Sequence, residues 1–353
     1  MKYVRRLAGL GMRMLASNFG RNRLPFKLTF ILTYRCDCRC LTCNIWKRKV
    51  ENELTADEVE RFFAVNRGFP WVNLSGGEIF TRRDLIDVAR SVVTTNRDLF
   101  LLDFPTTGQQ TEKIVAGVEE ILALDPPKLL VTVSLDGAGA KHDEVRRRKN
   151  AFENVIATYS ALRGLKAKNL DVFFGVTLSR FNGGELFEIY ESVKERLPWV
   201  GYRDFHVNLA QESGHYYQNE GMGLPEEQEA LRDMDEFLRR KGAGLHPVAW
   251  LEATYQRLLR RFYATGKSPL PCQALASSVF IDPHWQVYPC SMWGVMLGNL
   301  RETGFDLAPI WNAAETRERR RQVECGQCPH CWTPCEAYQT IVGNMPKALI
   351  SGL

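Results

Sequence analysis

Between Leu28 and Asn208 the chain alternates short apolar runs with longer stretches in which apolar positions recur at helical spacing. The runs Leu28 to Thr33, Trp71 to Leu74, Leu99 to Phe104, Leu129 to Ser134, Val172 to Thr177 and Asp204 to Asn208 predict six strands. Thr55 and Glu58 form a Thr-x-x-Glu capping box for the first intervening helix. Asp84 to Val93, Glu112 to Leu124, Phe152 to Leu162 and Glu185 to Val193 predict the helices that follow. Leu129 to Val133 is apolar except for Thr132, which predicts a strand covered on both faces. Such alternation predicts an α/β fold of parallel βα units, a six-stranded partial barrel.

A polar stretch from Gln211 to Leu224, a helix from Pro225 to Lys241, a Gly-rich break at Gly242 to Gly244 and a helix from about Val248 to Thr265 follow. The expected organisation is a basic N-terminal helical segment (1–27), a partial barrel with a helical extension (28–265) and a small cysteine-rich α+β domain (266–353). Tyr3, Leu7, Leu10 and Met14 lie at helical spacing opposite several arginines, which suits a membrane-interfacial helix. A helix packed on the barrel's own surface accounts for the same spacing and is preferred.

Composition narrows the class. With 353 residues, 45% hydrophobic and 25% charged, the chain has room for about two soluble domains. No apolar run approaches the roughly 20 residues of a membrane span, and Arg13 interrupts the segment Leu7 to Leu15 as a signal-peptide core. A cytoplasmic location is expected, with the basic N-terminus a candidate for peripheral membrane contact. The net charge of +5 concentrates early, at Lys2, Arg5, Arg6, Arg13, Arg21, Arg23 and Lys27. No aromatic-studded basic stripe accompanies it, so no nucleic-acid partner is expected.

The ten cysteines fall into two groups with none between Cys43 and Cys272. In a cytoplasmic chain this argues for metal rather than disulfides. Cys36, Cys40 and Cys43 have C-x3-C-x2-C spacing on a loop that follows the first strand. Three thiolates on a four-iron cluster leave one iron open to a chelating ligand. A zinc knuckle that also uses Cys38 satisfies four thiolates. On this loop alone both readings stand.

Further motifs mark the strand ends. Thr33-Tyr34-Arg35-Cys36 through Cys43-Asn44-Ile45-Trp46 resembles the cluster-binding loop of the radical S-adenosylmethionine (SAM) superfamily. Ser75-Gly76-Gly77-Glu78 resembles its Gly-Gly-Glu motif. Ser134-Leu135-Asp136-Gly137, followed by His142, Asp143 and Arg146, resembles the stretch that continues its barrel. Thr106-Thr107-Gly108 and Thr177 to Asn182 are weaker echoes. All lie at C-terminal strand ends, the rim where barrels assemble their sites, and the resemblance covers about residues 28 to 210.

The resemblance implies a 4Fe-4S cluster held by Cys36, Cys40 and Cys43, with SAM on the open iron and Cys38 a bystander. Reductive cleavage of SAM would then release a 5′-deoxyadenosyl radical, fed by a low-potential donor such as flavodoxin or ferredoxin. Gly76, Gly77 and Glu78 would receive the methionine ammonium. Ser134 and Arg146 would donate to the SAM carboxylate, and Asp136 would lie near ribose or substrate. As alternatives, a Gly-Gly-Glu is often only a turn, and Arg146 to Arg148 can be a solvated basic patch.

Cys272 and Cys290 flank two strand-like runs, Ser278 to Ile281 and Gln286 to Tyr288, around the turn Asp282-Pro283-His284-Trp285. With Cys325, Cys328, Cys331 and Cys335 they resemble the auxiliary-cluster extensions called SPASM or twitch domains, although Trp285 stands where Gly is usual. Six thiolates suffice for one fully ligated auxiliary iron–sulfur cluster or for two with open sites, with Cys272 and Cys290 the firmest ligands. Paired C-x2-C spacings also suit zinc.

His206, Asn208, Gln211, Glu212 and His215 are candidates to face a substrate, with Glu212 or His215 accepting a proton, although structural roles are preferred for each. Dehydrogenation or bond formation on a peptide, and oxidation or rearrangement of a sugar, lipid or other small molecule, all remain open. The short segment before strand one weighs against a leader-peptide-binding domain. The competing class is a zinc-binding structural or nucleic-acid-binding protein, which has no use for the Gly-Gly-Glu and Ser-Leu-Asp-Gly motifs.

Overall fold

The computed structural model describes residues 2–20, 24–223, 225–242 and 247–350. Arg21, Arg23 and part of the predicted Gly-rich break lie outside the described residues.

The six predicted strands form as β1 (Lys27–Thr33), β2 (Trp71–Gly76), β3 (Leu101–Thr106), β4 (Lys128–Ser134), β5 (Leu170–Leu178) and β6 (Phe205–Leu209). Each pairs in parallel with the next. The helices are α1 (Lys2–Ser17), α2 (Ala56–Val65), α3 (Leu85–Thr95), α4 (Thr111–Ala123), α5 (Ala140–Arg146), α6 (Ala151–Gly164) and α7 (Leu186–Arg196), then α8 (Glu227–Lys241) and α9 (Pro247–Thr265). The Thr55 capping box starts α2: Thr55 Oγ1 accepts from Glu58 N at 3.3 Å, and Glu58 Oε2 accepts from Thr55 N at 3.0 Å.

The sheet does not close. Its order is β6-β5-β4-β3-β2-β1-β7-β8-β9, where β7 (Ser278–Ile281), β8 (Gln286–Tyr288) and β9 (Gly298–Asn299) come from the C-terminal region. β7 runs parallel to β1, with Lys27 opposite Ser278, and β8 and β9 continue antiparallel. A neighbour on each side explains why β1 is buried along its whole length. Helices α10 (Ala308–Trp311), α11 (Ala314–Glu324), α12 (Pro334–Val342) and α13 (Met345–Ile350) complete the chain.

One expectation fails. β4 is not covered on both faces: Leu129, Val131 and Val133 are buried, while Leu130, Thr132 and Ser134 are half-buried. The second set faces the open interior of the barrel, together with Ser75, Phe173, Thr177, His206 and Asn208, which are half-buried too. Trp285 adopts φ +65, the left-handed region where glycine is at ease. That backbone explains the usual glycine, and the buried indole packs on Phe30, Phe62 and Phe305 while donating to Glu58 Oε2 at 3.0 Å.

Helix α1 lies at the opposite end from the motifs. Leu10 packs with Phe26, Trp71 and Phe100, at the N-terminal ends of β1 to β3, and with Val342 of α12. The packed alternative for this helix is therefore realised at the barrel base.

Candidate functional site

The first cysteine loop leaves β1 and is fastened to four other segments. Gly77 N donates to Thr33 O and Glu78 N to Arg35 O, both at 2.8 Å, which ties it to the end of β2. Leu41 N donates to Val145 O at 2.8 Å and Arg39 N to Arg146 O at 3.3 Å, which ties it to α5. Asn44 N donates to Tyr217 O at 2.8 Å, and Asn219 Nδ2 to Thr42 O at 2.9 Å. Asp37 accepts from Thr107 Oγ1 at 2.9 Å and Gln110 Nε2 at 3.0 Å, while Arg148 donates to its carbonyl at 2.5 Å.

The two glycines make this approach feasible. A Cβ at Gly76, where φ is +143, would lie 2.4 Å from Thr33 O, and one at Gly77 would lie 2.1 Å from Arg35 O. The carboxylate of Glu78 accepts from Phe80 N at 3.1 Å, Thr106 Oγ1 at 3.0 Å and Thr107 N at 2.5 Å. It is 1% exposed. Burial, and then the charge of Asp37, push its pKa up. Asp37 and the buried Glu78 thus bring two carboxyl groups to Thr107 at this corner, which a ligand ammonium would compensate.

Arg146 is 9% exposed, so it is not a solvated patch. Its guanidinium lies 2.8 Å from Asp136 Oδ2 and 3.6 Å from Cys40 Sγ. Asp136 also accepts from Thr177 N at 3.1 Å, and its own N–H donates to His142 Nδ1 at 2.9 Å. His142 is thereby held neutral, its pKa pushed well down by burial and by Arg146. Cys40 is lowered to about 6, first by a hydrogen bond from the Cys38 thiol and then, against its burial, by Arg146. Burial pushes Cys36 and Cys43 up to about 12. Cys38 is buried behind the loop as Cys40's hydrogen-bond partner. Ser134 is half-buried at the end of β4, facing the interior, on the same rim as Thr177.

At the C-terminal end, Cys290 and Cys331 share an apolar cluster with Ala274, Met292 and Val323, and Cys272 and Cys328 pack against it. Cys335 lies apart, near Lys27 and Glu336, and Cys325 is exposed. Lys27 donates to Cys335 O at 2.5 Å and Gln339 Oε1 at 3.0 Å, tying β1 to α12. Burial pushes Cys331 up to about 12 and Cys272 and Cys290 well up. Among the described residues, no three or more His, Cys, Asp or Glu side chains converge as a single-ion site.

Tyr217 belongs to the surroundings of both cysteine sets. It packs in the apolar cluster that Cys43 joins and also against the one that holds Cys290 and Cys331. Tyr216 beside it donates to Gly76 O at 3.2 Å. A cleft of about 640 Å3 opens nearby, lined by Arg48, Glu212, His215, Glu220, Met292 and Trp293. Asp37, Tyr216, Tyr217 and Asn219 were not singled out from the sequence. The only local signal was an aromatic pair within a polar stretch.

The remaining candidates separate. His206 and Asn208 face the interior, with the His206 ring stacked on Phe173 at 4.0 Å and its pKa lowered by burial. Glu212 braces its own loop by accepting from Gly221 N and Gly223 N. His215 packs on Tyr288 at 4.3 Å, and burial lowers its pKa to about 4. Gln211 is buried and accepts from Trp332 N at 3.4 Å.

Similarity to known proteins extends over most of the chain. The SPASM family, an iron–sulfur cluster-binding domain, matches residues 272–332. An AdoMet-dependent heme synthase of Methanosarcina barkeri is 27% identical, covering 87% of this chain and 89% of the relative. The subtilosin biosynthesis protein AlbA of Bacillus subtilis is 23% identical, covering 94% of this chain and 73% of its own. Among solved structures, Streptococcus suis SuiB bound to its precursor peptide SuiA superposes with a TM-score of 0.60 at 17% identity, covering 87% of this chain and 71% of that one. The structure of anSMEcpe with bound AdoMet gives 0.56 at 13% identity, covering 92% and 99%. None of these relatives supports the zinc-scaffold or nucleic-acid reading. The chain is thus similar over most of its length to radical SAM enzymes that use AdoMet, and its residues 272–332 match the SPASM iron–sulfur cluster-binding domain.

Proposed function

We propose that Cys36, Cys40 and Cys43 hold the 4Fe-4S cluster with the open iron, and that SAM binds across the rim formed by Gly76, Gly77, Glu78, Ser134 and Arg146. When bound, the cluster and SAM would supply reductive SAM cleavage and with it a radical able to abstract hydrogen from the substrate. Glu78 takes the methionine ammonium, and the two glycines let the β2 end approach the cysteine loop. Ser134 offers its hydroxyl to the SAM carboxylate. Arg146 steadies the Cys40 thiolate and Asp136 together, so Asp136 acts chiefly by orienting Arg146. The observation that carries this reading is the pair of carboxylates at Glu78 and Asp37 on the rim where Arg146 meets Cys40.

Cys272, Cys290, Cys328 and Cys331 are proposed as the core ligands of an auxiliary cluster, with Cys325 and Cys335 as candidates for a second. The substrate lies inside the barrel beside His206 and Asn208, within reach of both cysteine sets through Tyr217. An auxiliary cluster there would supply an electron acceptor close to the substrate, which favours an oxidative reaction. A flavodoxin- or ferredoxin-type donor in the cytoplasm supplies the low-potential electron. The division at residues 27 and 265 is retained as a functional one: base, catalytic barrel and auxiliary region. Anaerobic incubation of the reconstituted protein with SAM and dithionite tests the reading. It predicts 5′-deoxyadenosine, and its absence from iron-replete protein would contradict it.

A further inference from the structure

Helix α1 is turned around relative to an ordinary surface helix. Its inward side carries Arg6, which is 8% exposed, with Leu10 and Ser17, and Arg13 on the same side pairs with Asp98 at 3.7 Å. Its outward side is apolar. Val4, Ala8, Met12 and Leu15 follow one another at spacings that place them on a single stripe, with Leu7 alongside. Val4 is 66%, Met12 65% and Leu15 58% exposed. An apolar stripe of this kind facing water marks an interaction surface.

A second segment extends it. Asn18 Nδ2 donates to Val342 O at 2.7 Å and Asn18 Oδ1 accepts from Met345 N at 2.8 Å, which seats the start of α13 beside the end of α1. Leu349 and Ile350 of α13 are exposed as well. Arg5 and Lys347 are exposed cations on these two helices. No Asp or Glu occurs in residues 1–36 or 337–353, so neither segment brings a carboxylate to the face.

We propose that this face docks on an anionic lipid bilayer, with the α1 stripe and the α13 side chains set among the acyl chains and Arg5 and Lys347 at the headgroups. Apolar area and attraction to anionic headgroups together drive the binding of interfacial helices. A second copy of the chain is the poorer occupant, because a two-fold contact would bring Arg5 and Lys347 of both copies together with no carboxylate on either helix to offset them. The Leu10 contacts place the face at the N-terminal ends of β1 to β3, opposite the rim that carries the cysteine loop. Docking therefore leaves the catalytic mouth directed away from the lipid.

The test is vesicle co-sedimentation of the reconstituted full chain. Vesicles of phosphatidylcholine with phosphatidylglycerol are compared with phosphatidylcholine alone. About tenfold stronger partitioning onto the anionic vesicles is expected, by the dependence of such helices on surface charge. Met12→Glu with Leu15→Glu should remove it by about tenfold or more. Arg5→Glu with Lys347→Glu should remove the preference for phosphatidylglycerol. Both pairs should make 5′-deoxyadenosine at the wild-type rate without vesicles, which separates failure of docking from failure of the catalytic reading. Equal partitioning of wild type and Met12→Glu/Leu15→Glu would overturn the proposal. So would a concentration-dependent dimer, formed without lipid and lost in that variant.

Discussion

The two cysteine regions are built in different ways. The loop from Cys36 to Cys43 is laced by backbone and side-chain hydrogen bonds to β2, to the turn after β3, to α5 and to the segment around Tyr217. The C-terminal thiols are gathered chiefly by apolar packing, with Cys272 Sγ accepting weakly from Ala274 N at 3.4 Å and Cys325 left exposed. A polar lattice fixes geometry before any cofactor arrives, whereas a set of thiols in an apolar pocket gains its final geometry from the cluster it binds. The first loop is thus held chiefly by polar bonds and the C-terminal thiols chiefly by apolar packing.

The largest effect that would break this comparison is expected at Cys40. Cys40→Ala should reduce 5′-deoxyadenosine formation to background, while Cys38→Ala, which removes only the neighbouring donor, should retain most of it. Equal loss in both variants would return Cys38 to the ligand set. Next comes Asp37, which no cluster requires but on which the lattice depends. Asp37→Ala removes two hydrogen bonds to a charged acceptor, from Thr107 and Gln110, at about 1.5 to 3 kcal/mol for each. Cleavage should fall by more than about tenfold, with iron lost from the first site and retained at the second. Iron analysis beside a product assay reads both outcomes, and a wild-type response would show that the loop does not rely on its lattice.

Glu78→Gln keeps an acceptor for Thr106 and Thr107 but removes the charge. SAM affinity should fall by about 1.5 to 3 kcal/mol in equilibrium binding, with the melting temperature nearly unchanged. A smaller contrast sharpens the second region. Cys272→Ser or Cys331→Ser should deplete auxiliary iron more than Cys325→Ser, since only the exposed Cys325 stands away from the apolar cluster and from β1.

The smallest effect is a pH slope. His142 is neutral in the folded chain because its Nδ1 accepts from Asp136 N and Arg146 repels a second charge. Once unfolded, it takes up a proton below its ordinary pKa of about 6.5, so stability is lost as pH falls through that value. His142→Gln should flatten the decline between about pH 6.5 and 5 by up to about 1.4 kcal/mol per pH unit, read by denaturant unfolding.

Much of the architecture was legible because the signals were local. Six apolar runs between helical stretches became six parallel strands, and the Thr55–Glu58 box closed as its spacing required. What escaped was set by distant residues. Thr132 within an apolar run marks the face turned to the open interior, but parity alone does not reveal that the interior is open. The pairing of Lys27 with Ser278 has no local signature, and it makes the C-terminal strands part of the barrel's own sheet. Asp37 was hidden for the same reason, since its partners Thr107 and Gln110 lie beyond β3. The motifs at strand ends were readable because their chemistry lies in adjacent residues. Tyr217 was not, because it packs against the clusters beside both cysteine groups, a placement set only in three dimensions.

The central claim is that the chain holds two independent iron–sulfur sites, one for SAM and one auxiliary. It is tested most directly by iron and sulfide analysis of the anaerobically reconstituted Cys36→Ala/Cys40→Ala/Cys43→Ala variant beside wild type. Wild type should carry about eight irons with one auxiliary cluster or about twelve with two, by the composition of four-iron centres. The variant should lose about four of them, keep the rest with matching sulfide and make no 5′-deoxyadenosine. A variant devoid of iron, or one whose C-terminal cysteines hold stoichiometric zinc instead, would contradict the account.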